Sequence, residues 1–405
     1  MKKTIKLAVV AALALGTTSA FATNGTSLIG YGAKSRAMGG TGIAQFQGAE
    51  SGFNNPALIG YAKGNEVSIG GTYFAPDVSA ELGDGFGPAA GTYDSTASAS
   101  MIPAISTVTK VNDSFAWGLA LYGVGGMGVD YRDDNMGSVS GGTPGNGLGG
   151  SALPTPNDNL LLMRFALPLS YTVAGVALGV SPVIEYGALG MNSMFGEAGI
   201  TTDIAYGFEL GAAYQIAGVT LGLDYKSAVT HDFKNTFASY DSAGNKNTKL
   251  DTPQVIGAAV SYTIAGNTIA FDYKNIAYSS AKGFEDFLWD DQNVFALGYE
   301  YAAEAWAVRV GYNHSDQPVP TEPNSTYSNV NQIVGSLLAF PAVTEDHYTI
   351  GGSYAFSEQT SLDAAFVYGT GSATSKDINP MAPGEQTIKA VNDQMSATVA
   401  VNFNF

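Results

Sequence analysis

The last eleven residues, Met395-Ser-Ala-Thr-Val-Ala-Val-Asn-Phe-Asn-Phe405, decide the fold. Successive side chains of a β-strand point to opposite faces. Met395, Ala397, Val399, Val401, Phe403 and Phe405 therefore share one face, and Ser396, Thr398, Ala400, Asn402 and Asn404 share the other. One face suits lipid and the other a polar interior, over the length a tilted strand needs to cross a bilayer. On a soluble protein the same strand would leave a greasy stripe in water.

Upstream, the pattern repeats with the same sign. Leu362, Phe366 and Tyr368 alternate with Asp363 and Ala365; Trp306, Val308, Val310 and Tyr312 with Ala307, Arg309 and Asn313; Val219, Leu221, Leu223 and Tyr225 with Asp224 and Lys226. Fourteen such segments are predicted, at about 65–76, 92–110, 113–131, 158–173, 175–190, 201–216, 218–234, 248–264, 267–282, 292–302, 304–316, 343–356, 359–375 and 390–405. Tight turns such as Val173-Ala174-Gly175, Ala217-Gly218 and Ala265-Gly266-Asn267 alternate with long connections, the longest being 133–158 and 316–343. An even strand number, short turns at one end and long loops at the other are the rules of a membrane barrel. The terminal Phe405 resembles the C-terminal signal by which outer-membrane barrels are recognised for assembly.

Composition agrees. Only 13% of residues are charged, with 22 Tyr, 20 Phe, 51 Gly and no Cys. Aromatic residues ring the membrane interfaces of such barrels, whereas a soluble secreted chain carries more surface charge. The missing cysteines remove disulfides and thiolate chemistry together. Lys2, Lys3 and Lys6, the apolar run Leu7–Leu15 and the small-x-small site Ala20-Phe21-Ala22 predict a cleaved leader over residues 1–22. Removing it shifts the net charge from −17 to −20 through the loss of three lysines. That acidity is wrong for nucleic-acid binding. No other stretch is long and apolar enough for a spanning helix.

Residues 23–64 refuse to alternate. They are rich in Gly and small residues and contain Asn55-Pro56-Ala57. A compact N-terminal piece ahead of a large barrel fits best inside it, as a plug, because the lumen must otherwise conduct. The expected division is a leader (1–22), an N-terminal hatch (23–64) and a barrel (65–405). The class is all-β: a 14-stranded antiparallel transmembrane β-barrel with the hatch in its lumen. Lys34 and Arg36 of the hatch are expected to meet a mainly acidic inner wall.

No residue set points to an enzyme. His314-Ser315-Asp316 is the sole adjacent trio of hydrolase type, and His314 and Ser315 should diverge to opposite faces. Asp133-Asp134, Glu285-Asp286 and Asp290-Asp291 lack the spacing of a calcium loop. No metal and no cofactor are expected. In the third segment Gly123, Gly125, Gly126 and Gly128 interrupt a regular strand, which marks a bulge, a kink or simply a loose strand end. The run Val334-Gly-Ser-Leu-Leu-Ala-Phe-Pro-Ala-Val343 is apolar inside a long loop. It reads as an exposed binding surface or as a short helix packed on the barrel mouth.

The segment Ser35–Ala44 (SRAMGGTGIA) followed by Asn55-Pro56-Ala57, with Phe115–Gly126 (FAWGLALYGVGG), Leu250–Gly257 (LDTPQVIG) and Arg309–Pro320 (RVGYNHSDQPVP), resembles the FadL family of outer-membrane transporters for hydrophobic compounds. The resemblance implies passive uptake of long-chain fatty acids or other hydrophobic molecules across the outer membrane of a Gram-negative cell. Cargo would be captured by loops 133–158 (Met136, Leu148, Leu153) and 316–343 (Ile333, Val334, Leu337, Leu338, Phe340). It would pass to an internal pocket, with the hatch rearranging around Asn55, Pro56, Ala57 and Arg36, and leave sideways at a third-strand kink formed by Gly123, Gly125 and Gly126. Bulkier residues at Gly125 and Gly126 are then expected to block uptake. Lys226 and Arg309 are candidates for a carboxylate, but no motif places them, so a neutral aromatic or aliphatic hydrocarbon is the alternative to long-chain fatty acids, the leading class. Lipid and lipopolysaccharide are the expected surroundings, and a monomer the expected state. An open porin, a lipid hydrolase and a surface adhesin are the alternatives.

Overall fold

A computed structural model describes residues 23–134, 136, 139–140, 152–153, 155–192, 199–236, 246–326, 328–378 and 384–405. The expected leader and Leu148 lie outside them, and of Leu153 only the backbone is described.

Fourteen antiparallel strands close on themselves. They are β1 (Glu66–Leu82), β2 (Ser100–Lys110), β3 (Phe115–Asp130), β4 (Asn157–Ala166 and Leu169–Val173), β5 (Val176–Gly190), β6 (Thr201–Ile216), β7 (Val219–Lys226 and Val229–Phe233), β8 (Thr248–Thr252 and Val255–Ile264), β9 (Asn267–Ile276), β10 (Gln292–Ala302), β11 (Trp306–Ser315), β12 (Asp346–Ala355), β13 (Thr360–Thr370 and Ser372–Ser375) and β14 (Ile388–Asn404). Closure is made by β1 against β14, in unbroken register from Glu66↔Asn404 to Leu82↔Ile388. A closed barrel leaves no unpaired edge, which a bilayer does not tolerate.

The period-2 pattern of β14 partitions as expected. Met395 is 53% exposed and Val399 49%, whereas Ser396 is 3% and Thr398 4%. Three hairpins turn on two residues each: Ala174-Gly175, Ala217-Gly218 and Ala265-Gly266, all at positive φ. Two successive left-handed residues match the twist of the flanking strands, and glycine takes the second without strain.

Three boundaries differ from the reading of the sequence. β1 runs six residues further, because Ser79–Leu82 pairs on both sides, with Gly91–Asp94 and with Ile388–Val391. The expected strand 92–110 is broken; Gly91–Asp94 is a separate short strand, and β2 starts at Ser100. β9 stops at Ile276, where a 3-10 turn, Tyr278–Ser280, begins.

The barrel is filled. At the long-loop end an apolar layer includes Val78, Met127, Tyr278, Phe284, Trp289 and the inner face of a helix, α3 (Val330–Leu338). Below it lie the hatch residues. Helix α1 (Ala33–Ala37) packs against β11–β14, while α2 (Ser51–Asn54) and the 3-10 turn Pro56–Tyr61 pack against β3–β6.

Candidate functional site

Asn55 fixes one end of the hatch to the wall. Its Oδ1 accepts the Ala57 N–H at 3.0 Å, capping the turn that Pro56 opens. Its Nδ2 donates to Ile43 O at 2.8 Å and reaches Leu223 O of β7 at 3.2 Å. Ser170 Oγ of β4 donates to Ala57 O at 2.8 Å. Gly179 and Gly211 face this tripeptide, and a Cβ on either would collide with it. Asn55, Pro56 and Ala57 are thus tied to the wall by hydrogen bonds and by close packing on Gly179 and Gly211.

Wall charges hold the rest of the hatch through its backbone. Asp272 accepts the N–H groups of Gly42 and Ile43 at 2.8 and 2.9 Å. Lys274 Nζ donates to Ile29 O at 2.9 Å. Lys226 Nζ donates to Phe53 O and Asn54 O, both at 3.3 Å, where α2 leaves carbonyls unsatisfied, and it pairs with Asp224 at 3.1 Å. Arg309 is spent on Glu300 at 2.6 Å and on Ser353. Lys226 and Arg309 are thus both paired with wall carboxylates. Lys34 meets Asp363 at 3.5 Å, as an acidic wall suggested. Arg36 does not follow; it donates to Ser396 Oγ at 2.5 Å and forms no ion pair among the described residues. His314 pairs with Asp346 across the ladder, while Ser315 is buried on the other face.

The wall is broken at β3. Pairing of β2 with β3 runs from Lys110↔Ala116 to Ala104↔Tyr122 and ends there. On the other side β3 pairs with β4 through a register shift between Gly123 and Gly125, which leaves Val124 as the extra residue of a bulge. The hatch takes up the freed backbone at three successive residues. Tyr31 Oη donates to Val124 O at 3.1 Å, Gly125 bridges Ser27, and Gly126 N donates to Thr26 O at 2.9 Å. A Cβ on Gly125 would stand 2.5 Å from that Thr26 carbonyl, so glycine is what lets the hatch approach. The gap is filled by Leu28, Phe74 and Ile102, with Tyr31 and Leu161 packed on them.

Above the gap lies an apolar cavity of about 50 Å³, several times the ~15 Å³ that admits one water. Met127, Leu160, Leu189, Phe287, Trp289 and Phe340 are among its walls. Thr248 supplies the one hydroxyl, and the Trp289 indole N–H is spent on Ser336 Oγ at 3.0 Å. Phe340 lines the cavity. Ile333, Leu337 and Leu338 do not; all three are on the buried face of α3. Of the two readings of the apolar run, the structure shows a helix packed on the barrel mouth.

One residue that the sequence reading missed joins cavity and hatch. Tyr278 packs against Phe284 and Trp289, with ring centroids 5.0 and 5.1 Å away. Its hydroxyl accepts the Thr26 N–H at 2.7 Å, lies 3.1 Å from Thr26 Oγ1, and donates to Asn24 O at 3.2 Å. Burial pushes this phenol up to about 12, so it stays protonated and able to donate. Burial likewise raises Tyr31, and it raises Glu50, whose carboxylate accepts the Ala33 N–H at 3.0 Å, to about 7.

A membrane β-barrel plugged by its own N-terminal segment, which is stitched to a broken wall strand under an apolar cavity, belongs to the class of hatch-bearing channels. Residues 7–144 and 199–405 match the model of one family, described as outer membrane protein transport protein (OMPP1/FadL/TodX). The chain belongs to that family of outer-membrane transporters for hydrophobic compounds. Its fold is similar to that of the Pseudomonas putida toluene transporter TodX (TM-score 0.66, 17% identity, 93% of this chain and 99% of the other). It is also similar to a Pseudomonas aeruginosa FadL homologue (0.67, 14%, 96% and 100%) and to the Ralstonia pickettii toluene transporter TbuX (0.62, 16%, 93% and 99%). A stretch of 81 residues, 20% of this chain, is 47% identical to an uncharacterized protein in the phosphoenolpyruvate carboxykinase gene 5′ region of Chlorobium limicola. The match spans 40% of that relative's length.

Proposed function

We propose that the protein lies as a monomer in the outer membrane of a Gram-negative cell, among lipid and lipopolysaccharide, and admits uncharged hydrophobic molecules of about the size of one aromatic ring. Cargo settles in the cavity under α3, the segment 23–31 leaves its place against β3, and cargo passes sideways through the gap between β2 and β3 into the membrane. Residues 55–57 stay attached throughout. The observation that carries this reading is the cavity itself. Its wall is almost wholly apolar, and its aromatic residues touch the tyrosine that holds the hatch. Long-chain fatty acids are the competing cargo. Their carboxylate finds no unspent buried cation at this cavity among the described residues, which favours toluene-like compounds.

Uptake of radiolabelled toluene and palmitate by cells expressing the protein tests this. Toluene uptake should exceed that of cells lacking the protein, and Trp289→Ala should reduce it by about thirtyfold, since the indole contributes roughly 2 kcal/mol of apolar contact. Palmitate carried as well as toluene would reassign the cargo. Steady ion conductance of the intact protein in a planar bilayer would sink the hatch mechanism.

A further inference from the structure

Four basic side chains are buried inside the barrel among the described residues: Arg36, Arg164, Lys226 and Arg309. The last three each touch a carboxylate. Arg36, only 1% exposed, touches none, and its Nε and Nη1 have no hydrogen-bond partner in the protein. A guanidinium cannot shed its proton to escape this. An uncompensated buried charge is among the costliest things a fold can contain, and buried charges are otherwise paired.

The surroundings are polar and not acidic. Arg36 Nη2 already donates to Ser396 Oγ of β14. Gln394 is the next inward-facing residue up that strand, and its Nε2 lies 3.4 Å from His347 Nε2 of β12. Gly369 of β13 stands between the two in the ladder and brings no side chain. His347 Nδ1 and the Ser35 hydroxyl are buried without a partner as well. Arg36, itself part of α1, therefore has unspent donors on the side of the lumen where β12 and β14 present hydroxyl, amide and imidazole groups, two strands from β2.

We propose that Arg36, Ser396, Gln394 and His347 form a binding site for a compact monoanion, held by the unspent guanidinium N–H groups, which fixes α1 to β12–β14. Two sources share that chemistry: an inorganic halide, and the carboxylate headgroup of a fatty acid. None of the four residues lines the apolar cavity, which favours the halide.

Crystals grown in bromide, halide titration of barrel stability in detergent, and uptake assays test the site together. For the halide, an anomalous bromide peak is expected in contact with Arg36 Nε or Nη1. The unfolding midpoint should also rise saturably when gluconate is replaced by chloride, and this dependence should vanish in Arg36→Met and survive in part in Arg36→Lys. For the carboxylate, palmitate uptake should fall at least severalfold in Arg36→Met while toluene uptake is kept. That arm rests on the proposed transport, whereas the halide arms stand even if no uptake is measured. If Arg36→Met fails to fold, bromide density and halide titration of the unaltered protein decide alone. An absence of bromide density, of halide-dependent stability and of any headgroup-selective loss would overturn the proposal.

Discussion

Replacing Arg164 by Met is expected to cost the folded barrel about 3–5 kcal/mol, the usual penalty for removing one partner of a buried ion pair. Arg164 joins β4 to β5 and β6 inside the lumen, donating to Glu185 Oε2 at 2.9 and 2.7 Å and to Glu209 Oε1 at 2.7 Å. Both carboxylates are fully buried. Glu185 is also held by His231 and Thr252, and Glu209 by Tyr122. Methionine would fill most of the volume and leave two carboxylates facing each other, with Lys226, 3.7 Å from Glu209 Oε1, too far to replace the guanidinium's direct hydrogen bonds. The fraction folded in lipid vesicles along a urea titration, read from the gel mobility of unheated samples, should shift strongly toward the unfolded form. Adding Glu185→Gln and Glu209→Gln should recover much of the loss, because what destabilises is the uncompensated charge. If the single variant is as stable as the parent, Arg164 does not neutralise this cluster.

The same cluster shows which features a reader of the sequence can and cannot reach. Lipid outside and a polar lumen inside force a period of 2, so Met395–Phe405 and its upstream counterparts disclose strands, faces and inward charges such as Arg164, Glu185 and Asp272. The identity of each partner is not legible, because register around a closed barrel depends on strand boundaries that alternation fixes only loosely. The apolar run 334–343 shows the limit differently. A helix buried on one face and a surface groove demand the same residues, and only contact with Trp289 and Phe287 separates them. The glycines of β3 announced a break, but not that Thr26, Ser27 and Tyr31 would occupy it. Tyr278 left no signal at all, since what it binds is mostly backbone, 252 to 254 residues away in the chain. Backbone groups carry no mark in a sequence.

Tyr278→Phe is expected to loosen the hatch without disturbing the barrel. The substitution keeps the ring against Phe284 and Trp289 and removes only the hydroxyl. Thr26 N–H, buried, then loses its acceptor, and Asn24 O loses a donor. A net hydrogen bond contributes about 0.5–1.5 kcal/mol and a stranded buried donor costs about 1–3 kcal/mol, so the undocked state of residues 23–31 should become roughly 10- to 100-fold more populated. If undocking is the step that opens the gap at β3, toluene uptake at low concentration should rise, and planar bilayers should show brief openings that the parent protein lacks. Gly125→Val tests the same contact from the opposite side, since its Cβ would press on the Thr26 carbonyl. The sequence alone suggested that bulk at this glycine blocks the exit. The close approach of Thr26 leads to the opposite prediction: the hatch is displaced first, so leak should increase. The two variants should therefore act in the same direction and fall short of additive when combined, because both weaken one docking equilibrium. A Tyr278→Phe protein that is merely less stable, with uptake and conductance unchanged, would make the hydroxyl a structural contact and move the gate elsewhere.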